Sequence, residues 1–320
     1  MTRPRPRLLL LAAAMACSSD PAGPTPGPDA VVVQRSFVSD TIPHLFVGAG
    51  DIAGCGSFYI DEVTARLVAS VLAADTGARA FTAGDNAYPS GLAPEWGCYD
   101  LSWGRFKART WFSIGNHELN LDTAGTATYD YVLGPGVDSA ENGRRGKLYH
   151  AHDLGAWRIY FLNTQRNIPE QTAWLKADLA ANPRLCQMMI FHRPLHSAGT
   201  GELAPARPLR NWHMLFWKRH GDVVVTGHAH HYRRTANIRP DTTAGALPEA
   251  TAIDTGGYRL FVEGGGGHSS LSAFPPPLAY DEVRIKSNGV LKFTLGPRAY
   301  KWERLDTAGV VVDQGERGCH

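Results

Sequence analysis

Charge of one sign is what this sequence has least of. Its 32 basic and 30 acidic residues leave a formal net charge of +2. That balance provides no basic stripe to follow a nucleic-acid backbone, so duplex binding is not indicated. The apolar run LLLLAAAMA at 8–16 is too short to span a bilayer. No fixed-period repeat is present, which excludes stacked-repeat architectures. A phosphate loop is missing too: GGGG at 264–267 leads into His268 with neither the lysine nor the following helix, and reads as a flexible connection. Cysteine is scarce, with five in 320 residues, while 43% apolar and 19% charged residues describe an ordinary globular chain.

The N-terminus has its own grammar. MTRPRPR supplies a basic region, the apolar run follows, and small residues lead to Cys17. The arrangement resembles a bacterial lipoprotein signal, with Ala14 where leucine is commoner. Residues 1–17 are therefore expected to be an export signal whose Cys17 takes the lipid. The segment SSDPAGPTPGPDA within 18–40 is Pro/Gly/Ser-rich and is expected to be a tether. The reading predicts a protein anchored by lipid in the bacterial cell envelope; cleavage near Ala16 would instead give a periplasmic or secreted one. Its contact with a membrane would run through that anchor alone. From 41 to 320 no second domain boundary appears, and one α/β catalytic domain is expected.

Along that domain, short apolar runs end in polar loops. HLFVGAG at 44–50 precedes a helix with Val63, Leu67 and Val71 at helical spacing. ARAFTAG at 78–84 ends at GDNAY, and RTWFSIG at 109–115 ends at GNHE. KLYHAHDLG and AWRIYFLNT read as two further strands, and PEQTAWLKADLAAN as an amphipathic helix with Pro169 in its first turn. CQMMIFH at 186–192 and DVVVTGHAH at 222–230 close on histidine. Beyond 255, YRLFVEGGGG, DEVRIKSNGVLKFTLG and AYKWERLDTAGVVVDQG look like antiparallel strands completing one sheet, the middle pair turned at Asn288-Gly289. In open α/β sheets, ligands gather outside the carboxyl ends of strands, where distant side chains converge.

Those ends deliver Asp51, then Asp85 and Tyr88, then Asn116, His117 and Glu118, then His192, then His228 and His230. Carboxylate and phenolate oxygens suit a highly charged cation, and imidazole with amide suits a divalent first-row metal. The blocks GD, GDNAY, GNHE, FH and GHAH, in this order, resemble the calcineurin-like metallophosphoesterases and, within them, the purple acid phosphatase branch. Many relatives outside that branch carry a histidine at the position of Ala53; here Tyr88 stands in for it. The first block departs from the branch by reading GDIAG. The resemblance implies a four-layer α/β/β/α sandwich. It implies one metal held by Asp51, Asp85, Tyr88 and His230 and a second by Asp85, Asn116, His192 and His228, with Asp85 shared. The expected pair is Fe(III) with Zn(II), Fe(II) or Mn(II). The implied reaction is hydrolysis of a small-molecule phosphate monoester, for which paired cations activate water and clamp the phosphoryl oxygens. The same centre could serve a phosphodiesterase or nucleotidase, and a ligand-binding lipoprotein without turnover is the reading from another class.

Remaining residues divide by chemistry. His117 is assigned to substrate contact and general acid catalysis, and His196 to the leaving group. Glu118 is expected to orient a neighbouring ligand, since ligand imidazoles usually give their other N–H to a carboxylate or carbonyl. Once Cys17 is set aside, Cys55, Cys98, Cys186 and Cys319 allow three pairings; Cys55 with Cys98 is preferred because each follows a metal-binding loop, leaving Cys186 with Cys319. His44, His150, His152, His213 and His220 fall in strand or helix patterns and read as packing or surface residues, and His231 as outward-facing. Trp96, Trp103 and Trp111 read as core, while Arg193, Arg233 and Arg234 contact substrate or balance charge.

Overall fold

Alternation along the strands sorts the core into layers. The structure, a computed structural model, describes residues 42–195, 206–243, 250–274 and 276–320. The export signal with Cys17, the tether and His196 lie outside them. A six-stranded sheet runs, edge to edge, through Val311–Gly318, Ala299–Asp306, Gly289–Leu295, His44–Ala49, Arg79–Thr82 and Thr110–Trp111. The last three are mutually parallel, and His44–Ala49 meets Gly289–Leu295 antiparallel. A larger sheet has a parallel centre of Trp157–Phe161, Cys186–Ile190, Val223–Thr226 and Tyr258–Glu263, flanked by antiparallel His150–Leu154 and Tyr232–Pro240.

Because successive side chains point to opposite faces, Phe46, Phe81, Met188, Ile190, Val223, Val225, Phe261 and Phe293 fill the space between the sheets. Their neighbours Val47, Ala80, Met189, Val224 and Leu260 face outward onto helices. Asp61–Ala74 and Ala93–Ser102 cover the smaller sheet; Ile168–Ala181 and Ala206–Trp217 cover the larger. The result is the four-layer α/β/β/α sandwich. Trp96, Trp103 and Trp111 are core residues. On the first helix the buried face is Thr64, Ala65, Val68, Val71 and Leu72, a step round from the spacing read in the sequence. No helix among the described residues is long and apolar enough to cross a membrane.

The C-terminal strands do not complete one sheet. Tyr258–Glu263 and Asp281–Ile285 join the larger sheet, while the last three strands join the smaller. Asn288-Gly289 is accordingly a crossover rather than a hairpin turn. Arg304 holds it: the buried guanidinium pairs with Glu263 of the larger sheet at 3.1 Å and donates to the Ser287 hydroxyl and carbonyl. Disulfides join Cys55 to Cys98 and Cys186 to Cys319, the preferred pairing. The second ties the final strand to the centre of the larger sheet.

His150 and His152 pack at the edge of the larger sheet, ring nitrogens 2.9 Å apart, with His152 stacked on Trp111 at 4.2 Å. Burial pushes His150 down to about 4. Burial, followed by the charges of His150 and Arg158, pushes His152 down to about 2. Both fall below the unfolded value near 6.5, so the unfolded chain binds more protons as pH drops. Stability present above pH 6.5 should therefore be lost as pH falls through 4, with His150 alone contributing on the order of 3 kcal/mol. Melting temperature measured from pH 7 to 4 should fall steeply, and less so for His150→Gln/His152→Phe. Parallel curves would refute the assignment.

Candidate metal centre

The two strand-end loops of the smaller sheet zip together through their backbones. Asp51 N donates to Gly84 O at 2.9 Å, Ile52 N to Asp85 O at 2.8 Å and Ala53 N to Asn86 O at 3.0 Å. Ala53–Gly54 then pairs in parallel with Ala87–Tyr88, so the GDIAG loop keeps its register against GDNAY. Asp51, Asp85 and His228 adopt positive φ of 59°, 51° and 71°, a sparsely populated conformation that the surrounding structure must enforce.

Glycine makes the close approaches possible. A Cβ on Gly84 would fall 2.6 Å from His192, one on Gly115 2.1 Å from Asp85 Oδ1, and one on Gly227 2.7 Å from Asp51 Oδ2. The run 264–267 works the same way and is not a flexible connection. It is buried, Gly266 N donates to Gly50 O at 2.9 Å, and a Cβ on Gly264 would meet Ala229 O at 2.2 Å.

The seven residues read from the strand ends come together. The Tyr88 hydroxyl lies 2.8 Å from Asp51 Oδ1, 3.2 Å from Asp85 Oδ2 and 3.1 Å from His230 Nε2. His192 Nε2 lies 3.0 Å from Asp85 Oδ2, 3.1 Å from Asn116 Oδ1 and 3.2 Å from His228 Nδ1. Asp85, His192 and His228 can bring ligand atoms within 4.8 Å of one another. Asp85 Oδ2 thus belongs to both groups. Asp51 and Asp85 are 0% and 1% exposed. Their partners among the described residues are a phenol, imidazoles and backbone N–H groups.

Outer contacts fix which atoms face inward. His192 Nδ1 meets the Ala83 carbonyl at 2.9 Å and His230 Nδ1 the Ser270 carbonyl at 2.8 Å, and a carbonyl can only accept. Each ring therefore presents Nε2 to the centre. Glu118 orients its neighbours through their backbones rather than through an imidazole. Its carboxylate accepts backbone N–H groups from Asp85, Asn86, Ala87 and Gly115, and so shapes the loops that carry Asp85 and Asn116. The carbonyls had already satisfied the rings.

The protein's own charges set its proton affinities. Burial alone would raise the Asp85 carboxyl, but His192 and then His117 outweigh it and hold Asp85 well below the usual carboxylate range. Burial opposes protonation of His192, yet Asp85 lifts it to about 9. Burial and the charge of His192 push His228 down to about 4. Burial, then Asp51 and Asp85, drives the Tyr88 phenol well above its ordinary value.

His117 packs on Tyr88 with ring centroids 4.3 Å apart; its backbone N donates to Asp85 Oδ1 at 2.8 Å and its Nδ1 to Pro89 O at 2.6 Å. His231 is buried against Phe274 rather than outward-facing. Arg233 and Arg234 form ion pairs with Asp281 and with Asp313 and Glu282, which assigns them to charge balance. One neighbour was not read from the sequence: His268, 4.2 Å from His230 and 4.7 Å from Tyr88 between ring centroids. The available signal was a sixth strand end, EGGGGH, built like the others.

No family model matches the chain. It is 29% identical over 171 residues to purple acid phosphatase 23 of Arabidopsis thaliana, covering 49% of this chain and 37% of that protein. It is 26% identical over 250 residues to purple acid phosphatase 22 of the same plant, covering 72% and 55%. The chain thus spans about half or less of the length of these curated relatives. Among solved structures, purple acid phosphatase PPD1 from yellow lupin (Lupinus luteus) seeds superposes with a TM-score of 0.70 at 21% identity, covering 88% of this chain and 55% of that one.

Proposed function

We propose that this chain, a calcineurin-like metallophosphoesterase similar to the purple acid phosphatases, hydrolyses phosphate monoesters of small molecules at a dinuclear metal centre. One observation carries the reading: two buried carboxylates, a phenol, an amide and three imidazoles from both sheets converge around one shared oxygen of Asp85. Among the described residues Asp51 and Asp85 meet no lysine or arginine, only a phenol, imidazoles and backbone N–H groups. Buried carboxylates are stabilised by paired charge or by metal, and this oxygen and imidazole donor set fits a metal pair. Asp51, Asp85, Tyr88 and His230 would hold one ion, and Asp85, Asn116, His192 and His228 the other. When bound, the pair supplies a strongly polarised water and positive charge for the phosphoryl oxygens. The Tyr88 phenol, raised by burial and its carboxylate neighbours, would ionise only against a strongly polarising cation, which favours Fe(III). Zn(II), Fe(II) or Mn(II) suits the amide and imidazole set.

The chain's own groups do the rest. Ala83 and Ser270 carbonyls fix the tautomers of His192 and His230, and Glu118 fixes the loop of Asp85. His117 donates Nδ1–H to the Pro89 carbonyl, so it must be an imidazolium to give a proton from Nε2 to a departing alkoxide. His196 is kept as a second leaving-group contact. Both disulfides suit an oxidising compartment, in keeping with export and with lipid attachment at Cys17.

Elemental analysis combined with a visible spectrum tests the reading. The protein should hold two ions per chain, one of them iron, and release phosphate from monoesters faster than from diesters. A phenolate on Fe(III) should colour it, and Tyr88→Phe should remove that band. A colourless active enzyme would sink only the ferric assignment; two ions without turnover on any ester would favour a binding protein.

A further inference from the structure

We infer that His268 is a further substrate-binding residue of this centre, whose Nε2–H donates to an oxygen of the bound phosphate. The inference rests on the phosphoesterase reading above.

Hydrogen bonding fixes the ring's donor. Ser270 N donates to His268 Nδ1 at 3.2 Å, so that nitrogen carries a lone pair and the neutral ring has its proton on Nε2. Among the described residues, Nε2 makes no hydrogen bond. The ring contacts both residues whose polar atoms meet at the first half of the centre, His230 and Tyr88. Tyr88 also contacts His117, so the two imidazoles not used as ligands flank the same phenol ring.

The placement is rigid. His268 N donates to the carbonyl of Asp51 at 3.1 Å, Asn288 Nδ2 donates to His268 O at 2.9 Å, and Ile60 N donates to Gly267 O at 2.9 Å. Phe58 and Tyr59 meet the ring edge-on at 5.1 and 5.4 Å. Phe58 is 51% exposed and His268 itself is half-buried, so this imidazole lies between the buried centre and the surface. A donor held by backbone on several sides, within reach of the centre and with its proton uncommitted, is what recognition of an anionic ester requires.

Two variants separate recognition from packing. His268→Phe keeps an aromatic ring against Tyr88, His230 and Phe58 but removes the N–H; His268→Gln returns a donor. In the metal-loaded full chain, His268→Phe should keep two ions, bind inorganic phosphate about tenfold more weakly and raise KM in proportion, with kcat changed less. His268→Gln should recover part of the loss. Wild-type phosphate affinity and KM in His268→Phe, or loss of its metals, would overturn the assignment. The phosphate-binding measurement needs no turnover, so it decides the role of His268 even if the wild-type protein hydrolyses no ester.

Discussion

Asp85→Asn is expected to empty both halves of the proposed metal centre while leaving the sandwich folded. Asparagine keeps the shape and can still accept the His117 backbone N–H through Oδ1. What it removes is the negative charge at Oδ2, which lies 3.0 Å from His192 Nε2 and 3.2 Å from the Tyr88 hydroxyl. No other side chain described here belongs to both donor groups. Elemental analysis should find close to zero ions per chain, and the proposed phosphatase activity should fall beyond the roughly 10- to 100-fold typical of losing a ligand's hydrogen-bond partner. Asn116→Ala supplies the contrast, because Asn116 contacts only the His192 side; that variant should lose one ion and keep the other. Retention of both ions by Asp85→Asn would show that the carboxylate is not shared.

Gly115→Ala should damage the same centre by a single methyl group. Its Cβ would stand 2.1 Å from Asp85 Oδ1 and 2.5 Å from Asp85 N, and Gly115 N donates to Glu118 Oε2 at 2.6 Å. Neither neighbour is free to retreat, since Glu118 binds the loop of Asp85 at three further N–H groups. Overpacking of this kind costs about 1–3 kcal/mol, and the displaced carboxylate should carry activity down with it. Gly97→Ala is the matching control. Gly97 sits in helix Ala93–Ser102 with open space around its Cβ, so alanine there should stabilise by roughly 0.5–1 kcal/mol. Denaturant melts of the two variants should shift in opposite directions; equal shifts would show that the contact at Gly115 relaxes without consequence.

The strand-end blocks were legible because each places its polar residues immediately after an apolar run, so chemistry and local structure share one linear signal. Strand Tyr232–Pro240 was not, because Arg233 and Arg234 break its apolar pattern. Those arginines are neutralised by Asp281, Glu282 and Asp313, about fifty to eighty residues away, and distance in sequence hides such compensation. Helix Ala93–Ser102 was masked by Pro94 and Gly97 within its ten residues. The Asn-Gly step at 288 follows the local rule for a hairpin, yet Arg304 and Glu263 send the chain between sheets. Glu118 was legible as a residue that orients a neighbouring ligand, but that it works through the backbone N–H groups of the Asp85 loop shows only in three dimensions. His268 escaped because its glycines look like slack when read alone; only against Gly50 and Ile52 do they become tightly packed backbone.

Neither sheet owns the whole proposed ligand set: Asp51, Asp85, Tyr88 and Asn116 follow strands of the smaller one, and His192, His228 and His230 follow strands of the larger. On the proposed ligand assignment, full ion capture would therefore come late, after the halves have docked. Added cations should leave the refolding rate of stripped protein nearly unchanged and slow its unfolding instead, so that the ions act as a latch on a finished scaffold.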